Sequence, residues 1–230
     1  MRALILLLLI LAACGRPLTP AEKTFARQLH GPTIDTSRIR AIHGSPVGGV
    51  TYQRPKRPRL ACRELILPEP PTEMVTVGPV AMVIHNKVFY ARDWYLDDYL
   101  QDYPDKLNLL TAMLFAHEIT HVWQWQNRKT TGYTPLRAAN EHQVSADPYL
   151  FDLDTKTRFL DYGYEQQAGI VEEYVCCAAL DPDAPRTKRL ETLLKGAFPL
   201  RELTIPDKVH LPWDGVKTKG ICSQPAGGAG

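Results

Sequence analysis

Several common chemistries have no foothold in this 230-residue sequence. It contains no glycine-rich phosphate loop, no GxSxG elbow and no CxxC pair, which removes the usual signs of nucleotide binding, serine hydrolysis and thiol exchange. No repeat of about 33–45 residues is present, so a stacked solenoid is excluded. Charge of one sign is also lacking. With 23% charged residues and a net charge of +2, nothing suits the chain to nucleic acid. The apolar run from Ala3 to Ala13 is shorter than the roughly 20 residues a membrane-spanning helix needs, so behind Met1-Arg2 it reads as a secretory leader. What is present is a 44% hydrophobic composition, enough for one globular domain with peripheral loops.

The chemistry concentrates between about Asp105 and Arg128. Leu107, Leu110, Leu114, His117 and His121 recur at steps of three and four, so they form one helical stripe, widened by Leu109, Met113 and Ala116. Asp102 or Asp105 is the expected cap beside Pro104, and Gly132 stands beyond the basic end. His117-Glu118-Ile119-Thr120-His121 is an HExxH arrangement. Two imidazoles one turn apart can hold one zinc ion, and Glu118 can reach a water on the open position and carry its proton.

A second helix is expected from about Tyr164 to Leu180. Glu165, Ala168, Gly169 and Glu172 share a face, and the two small residues allow close approach to another helix. That docking would make Glu165 the third ligand, with Glu172 or Glu173 orienting a ligand imidazole. Glu172, Asp161, Asp154, Asp147 and His142 are the competitors for the third position.

Around these helices, Thr19-Pro20-Ala21-Glu22 predicts a capped helix to about Leu29. Ile34 to Ile42 reads as extended or mixed. Gln53 to Thr72, rich in proline and basic residues, reads as a loop or edge insertion whose cluster is solvated or meets anionic lipid headgroups or cell-wall polymer. Val75 to Tyr90 predicts strands with a turn at His85-Asn86-Lys87. Of Trp123 and Trp125, two apart on the metal helix, at least one should pack in the core. Thr130 to Asp161 is polar and turn-rich, suited to a cleft wall or lid. Arg186 to Lys195 forms a short helix, and residues 223–230 form a disordered tail.

Leu11-Ala12-Ala13-Cys14 resembles the lipobox of bacterial lipoproteins. The resemblance implies cleavage after residue 13, lipidation of Cys14 and a periplasm-facing protein tethered in the cell envelope. Gly15 in place of aspartate favours the outer membrane. Such a compartment permits disulfides among Cys62, Cys176, Cys177 and Cys222. Pairing Cys176 with Cys177 would be strained, which leaves two arrangements joining Cys62 and Cys222 to that pair.

With His-Glu-x-x-His on one helix and Glu165-Gln166-Gln167-Ala168 opening a later one, the sequence resembles the gluzincin metallopeptidases. More narrowly, His-Glu-x-x-His-Val-Trp-Gln with the later Glu-Gln-Gln-Ala is similar to a bacterial group of zincin-like domains, some encoded near Vgr and contractile-injection components. The resemblance covers about Arg16 to Leu180 and implies an α+β zincin-like domain, taken as residues 14–222, in which a small sheet lies over the metal helix and its edge can hold an extended peptide. It also implies His117, His121 and Glu165 as ligands of one zinc ion and Glu118 as base. The implied activity is hydrolysis of envelope peptides or proteins. Gly169 departs from the acidic residue thermolysin-like enzymes place there, so the oxyanion residue stays open among Tyr149, Tyr162, Tyr164 and His142. The alternative is a non-catalytic, zinc-stabilised lipoprotein adaptor of an envelope or secretion assembly.

Overall fold

The computed structural model describes residues 15–46, 49–145 and 147–223. The expected leader, Cys14 and positions 224–230 of the expected tail lie outside the described residues. The fold is α+β. Strand β1 (Arg16–Pro17) leads into helix α1 (Pro20–His30), which starts as its sequence predicts. Thr19 Oγ1 accepts from Glu22 N at 3.1 Å and the Glu22 carboxylate accepts from Thr19 N at 2.9 Å. Glu22 is fully buried, and Arg16 forks onto both its oxygens at 2.7 and 2.8 Å.

Then follow β2 (Arg40–His43), β3 (Tyr52–Pro55), α2 (Cys62–Leu65), β4 (Met74–Val77), β5 (Ala81–Ile84), β6 (Lys87–Tyr90) and β7 (Leu107–Asn108). Helices α3 (Leu109–Gln126), α4 (Arg128–Thr131), α5 (Pro135–Val144), α6 (Tyr164–Leu180) and α7 (Pro185–Lys195) precede a last strand, β8 (Val209–His210). The main sheet has the order β1-β2-β6-β5, with β2 parallel to β6 and β5–β6 a hairpin. Its turn places His85 at φ 59°, a left-handed conformation unusual for a side-chain-bearing residue. The expected strand at Val75 does not join this sheet; β4 pairs with β3 in a separate ribbon.

Helix α3 is the centre of the core. It packs along α6, beneath β5 and β6 and against α1, and Ala112, Phe115, Ala116, Ile119 and Val122 are buried on different sides of it. A helix apolar on nearly every side is an interior helix. Trp123 joins this core, whereas Trp125 stacks on His85 at 4.0 Å near the surface. The helix starts at Leu109, later than its sequence predicts. A turn closed by Lys106 N to Asp102 O at 3.0 Å and the pairing of β7 with β8 hold residues 102–108 out of it. Asn108, not Asp102 or Asp105, is the cap, accepting from Thr111 N at 3.3 Å.

Two other segments differ from their sequence reading. The basic insertion is less solvated than its sequence suggests: Arg57 forks onto Asp147 at 2.6 and 2.8 Å, and Arg63 is buried. The distant Asp147 and Glu172 join the local Glu64, Glu69 and Glu73 in balancing its charge. The segment from Thr130 to Asp161 contains α5, whose cap, Thr134 accepting from Arg137 N, stands before Pro135. Only Ala138 of α5 is buried, so the apolar pattern that reveals helices is missing.

Disulfides Cys62–Cys176 and Cys177–Cys222 tie α2 and the end of the chain onto α6, one of the two pairings left open by the sequence. Each closes a long loop and so restricts the unfolded chain. Cys177→Ser with Cys222→Ser is expected to lower unfolding free energy by roughly 2–4 kcal/mol, measured by urea denaturation. An unchanged midpoint would contradict this.

Candidate metal centre

One helical turn of α3 sets His117 and His121 side by side, with their Nε2 atoms 3.3 Å apart. Glu165, in the first turn of α6, brings its Oε2 to 3.3 Å from each Nε2. The three donors form a triangle of equal 3.3 Å edges. That is the ligand spacing around an ion held tetrahedrally at about 2.0 Å. His117, His121 and Glu165 are thus positioned to hold a metal ion, and all three are buried, at 5–7% exposure.

Helix α5 holds the third donor in place. Glu141 accepts from the backbone N–H groups of Tyr164 and Glu165 at 2.8 and 3.0 Å, capping α6. His142 Nε2 lies 3.1 Å from Glu165 Oε1, the oxygen outside the triangle. His142 therefore supports Glu165 and does not replace it. Glu141 escaped the sequence reading; the Thr134-Pro135 start of its helix was the available signal. The other competitors are engaged elsewhere, Asp147 with Arg57, Asp154 with Arg189 and Asp161 with Arg158.

Two turns along α6, Glu172 Oε2 sits 3.2 Å from His117 Nδ1 and is balanced by Arg63 at 3.5 Å. Its neighbour does not share this role. Glu173 accepts from the N–H groups of Cys62 and Arg63 at 3.0 and 3.2 Å and from Arg186 at 2.8 Å, so it caps α2. One residue turns a helix by about 100°, which carries Glu173 away from the imidazoles. Gly169 also differs from its expected role. The space a side chain there would fill is taken by the Arg63 guanidinium, 2.9 Å from an ideal Cβ position, and by the 149–151 loop, not by α3.

Glu118 is 4% exposed and, among the described residues, accepts no hydrogen bond. Burial raises its pKa above the usual carboxylate range, opposed by His117 and His121. Of the tyrosine candidates, Tyr162 donates to the carbonyls of Asp152 and Lys156, and Tyr164 to that of Thr131. Tyr149 remains, its ring 5.7 Å from His117. Tyr133, which no sequence pattern marked, lies 6.2 Å from His121. Burial, then Glu165 and Glu118, hold both phenols protonated.

Burial alone would lower the His117 pKa, but Glu165 and Glu172 outweigh it and raise it to about 10. His121 is raised as well, against its burial, by Glu165. Metal binding to the metal-free protein near pH 7 should therefore displace a proton from His117. Affinity should climb as pH rises, by up to about tenfold per pH unit for each proton released. The same linkage has the opposite sign for metal-free folding. A His117 pKa above 6.5 contributes stability that is full below pH 6.5 and lost towards about pH 10. Calorimetric titration in buffers of different ionisation heat should find proton release at pH 7; none would contradict this electrostatic picture.

No protein-family model matches the chain, and no curated protein does. Among solved structures, the effector domain of Pseudomonas aeruginosa VgrG2b is similar at 23% identity, over 81% of this chain and 86% of that one, with a TM-score of 0.51. The similarity is one of fold.

Proposed function

We propose that this chain is a zinc-dependent peptidase of zincin-like fold, acting on peptides or proteins of the bacterial cell envelope and tethered there through Cys14. The observation that carries the reading is the donor triangle of His117, His121 and Glu165 with Glu118, a buried carboxylate that accepts no hydrogen bond among the described residues, on the same helical turn. Two imidazoles and one carboxylate suit zinc, which when bound polarises a carbonyl and acidifies water. Glu118 takes the proton of the attacking water on its carboxylate and passes it to the leaving amine. Its raised pKa fits a group that must hold that proton briefly. Tyr149 and Tyr133, whose rings lie beside His117 and His121, are the candidates to hydrogen-bond the carbonyl oxygen as charge gathers on it. Strand β5, at the sheet edge beside α3, offers backbone groups to an extended peptide.

The two disulfides suit an oxidising compartment. Similarity to an effector domain supports a role linked to secretion. A zinc-stabilised adaptor would need a fourth protein donor, whereas the cluster found among the described residues has three. The test is hydrolysis of a mixed peptide library by the chain from residue 15 onward. Chelation should abolish cleavage and one equivalent of zinc should restore it; cleavage that persists after zinc removal would overturn the reading.

A further inference from the structure

Gln124 and Gln167 meet between α3 and α6, at 0% and 1% exposure, and take no part in the mechanism above. Their amides form a directed chain. Gln167 Nε2 donates to the carbonyl of Tyr162 at 2.8 Å. Gln124 Nε2 donates to the carbonyl of Tyr164 at 3.0 Å and to Gln167 Oε1 at 2.9 Å. Gln124 Oε1 then lies 2.8 Å from His121 Nδ1.

Each direction in this chain is forced. A backbone carbonyl can only accept, so Gln167 must turn its nitrogen to Tyr162 and its oxygen to Gln124. Gln124 must answer with its nitrogen, which the carbonyl of Tyr164 requires independently. Its oxygen is left facing His121, and that oxygen can only accept. His121 Nδ1 therefore carries a hydrogen, and in the neutral ring the lone pair falls to Nε2, the atom in the donor triangle.

We propose that Gln124 is the positioning residue that fixes the metal-binding tautomer of His121, with Gln167 locking its amide against rotation. The proposal rests on the zinc reading of the site. The two ligand imidazoles are then held by different means, His117 by the carboxylate of Glu172 and His121 by a neutral amide that adds no charge to an already acidic centre. A flipped amide would set an N–H group against His121 and draw its lone pair to the wrong nitrogen.

A polar bridge that merely joined two helices would make the same bonds, so the test reads the ring itself. In metal-free, 15N-histidine-labelled wild type at alkaline pH, long-range 1H–15N correlation is expected to show neutral His121 protonated at Nδ1. The Nε2-protonated form would overturn the proposal. In chelator competition Gln124→Met is expected to bind zinc about 10–100-fold more weakly than wild type. Gln167→Met, which touches no ligand, should show a smaller loss in the same direction. Unchanged affinity in Gln124→Met would also overturn the proposal. Should Gln124→Met not fold, the wild-type tautomer and Gln167→Met still decide. Failure of the wild type to bind zinc would sink the parent reading instead, and the metal-free tautomer measurement keeps the two failures distinct.

Discussion

Glu118→Gln is expected to lower peptide hydrolysis by about two to four orders of magnitude while leaving zinc content unchanged. The substitution keeps the size of the side chain and removes only its ability to take a proton. Glu118 makes no hydrogen bond among the described residues, so the amide disturbs no partner. It follows His117 on α3 but stands outside the donor triangle. Chemistry and metal binding should therefore separate cleanly. Parallel measurement of zinc content and of product formation from the peptide library checks this. Wild-type turnover in the variant would remove Glu118 from the mechanism, and loss of zinc would place it among the ligands.

Glu165→Ala is expected to weaken zinc binding by about two to three orders of magnitude. Structural zinc sites bind with roughly 10–16 kcal/mol, so one of three or four ligands carries on the order of 3–4 kcal/mol. Glu165 does more than supply an oxygen. Its carboxylate faces His117, His121 and His142, and these imidazoles hold its pKa well below the usual range against the effect of burial. Removing it leaves His117 and His121 buried without that counter-charge. Chelator competition, with circular dichroism to confirm that α6 remains, measures the loss. Wild-type affinity in the variant would make another group, such as His142 or Glu172, the third ligand.

The two helices that carry the site could be read in the sequence because each combines an apolar pattern with functional residues at helical spacing. Helix α6 runs over the predicted residues, and Glu165 and Glu172 both reach the imidazoles. What escaped was supplied across the fold. Glu173 differs from Glu172 only by its turn around the helix, and its partner, the start of α2, lies 110 residues away. Arg57 and Arg63 read as a solvated basic run because, besides the adjacent Glu64, the carboxylates that balance them, Asp147 and Glu172, are distant in sequence. Helix α5 lacks an apolar face, so Glu141 was not placed near the site, and His142 was a candidate ligand or oxyanion residue, not a support for Glu165. Tyr133 is an ordinary residue after a glycine until the turn at Gly132, at φ 69°, brings it beside His121. The stripe of Leu110, Leu114, His117 and His121 was legible, yet Leu110 and Leu114 are only half-buried. The deeper core lies on the other faces of α3.

The central claim is a zinc ion held by two imidazoles and one carboxylate with a position left for water. Zinc K-edge absorption on the wild-type chain from residue 15 onward, at known zinc content, tests it most directly. The account expects one zinc per chain, with two nitrogen and two oxygen neighbours at about 2.0 Å, one oxygen being water. Absence of stoichiometric zinc, a sulfur neighbour, or a third imidazole in the place of Glu165 would contradict it.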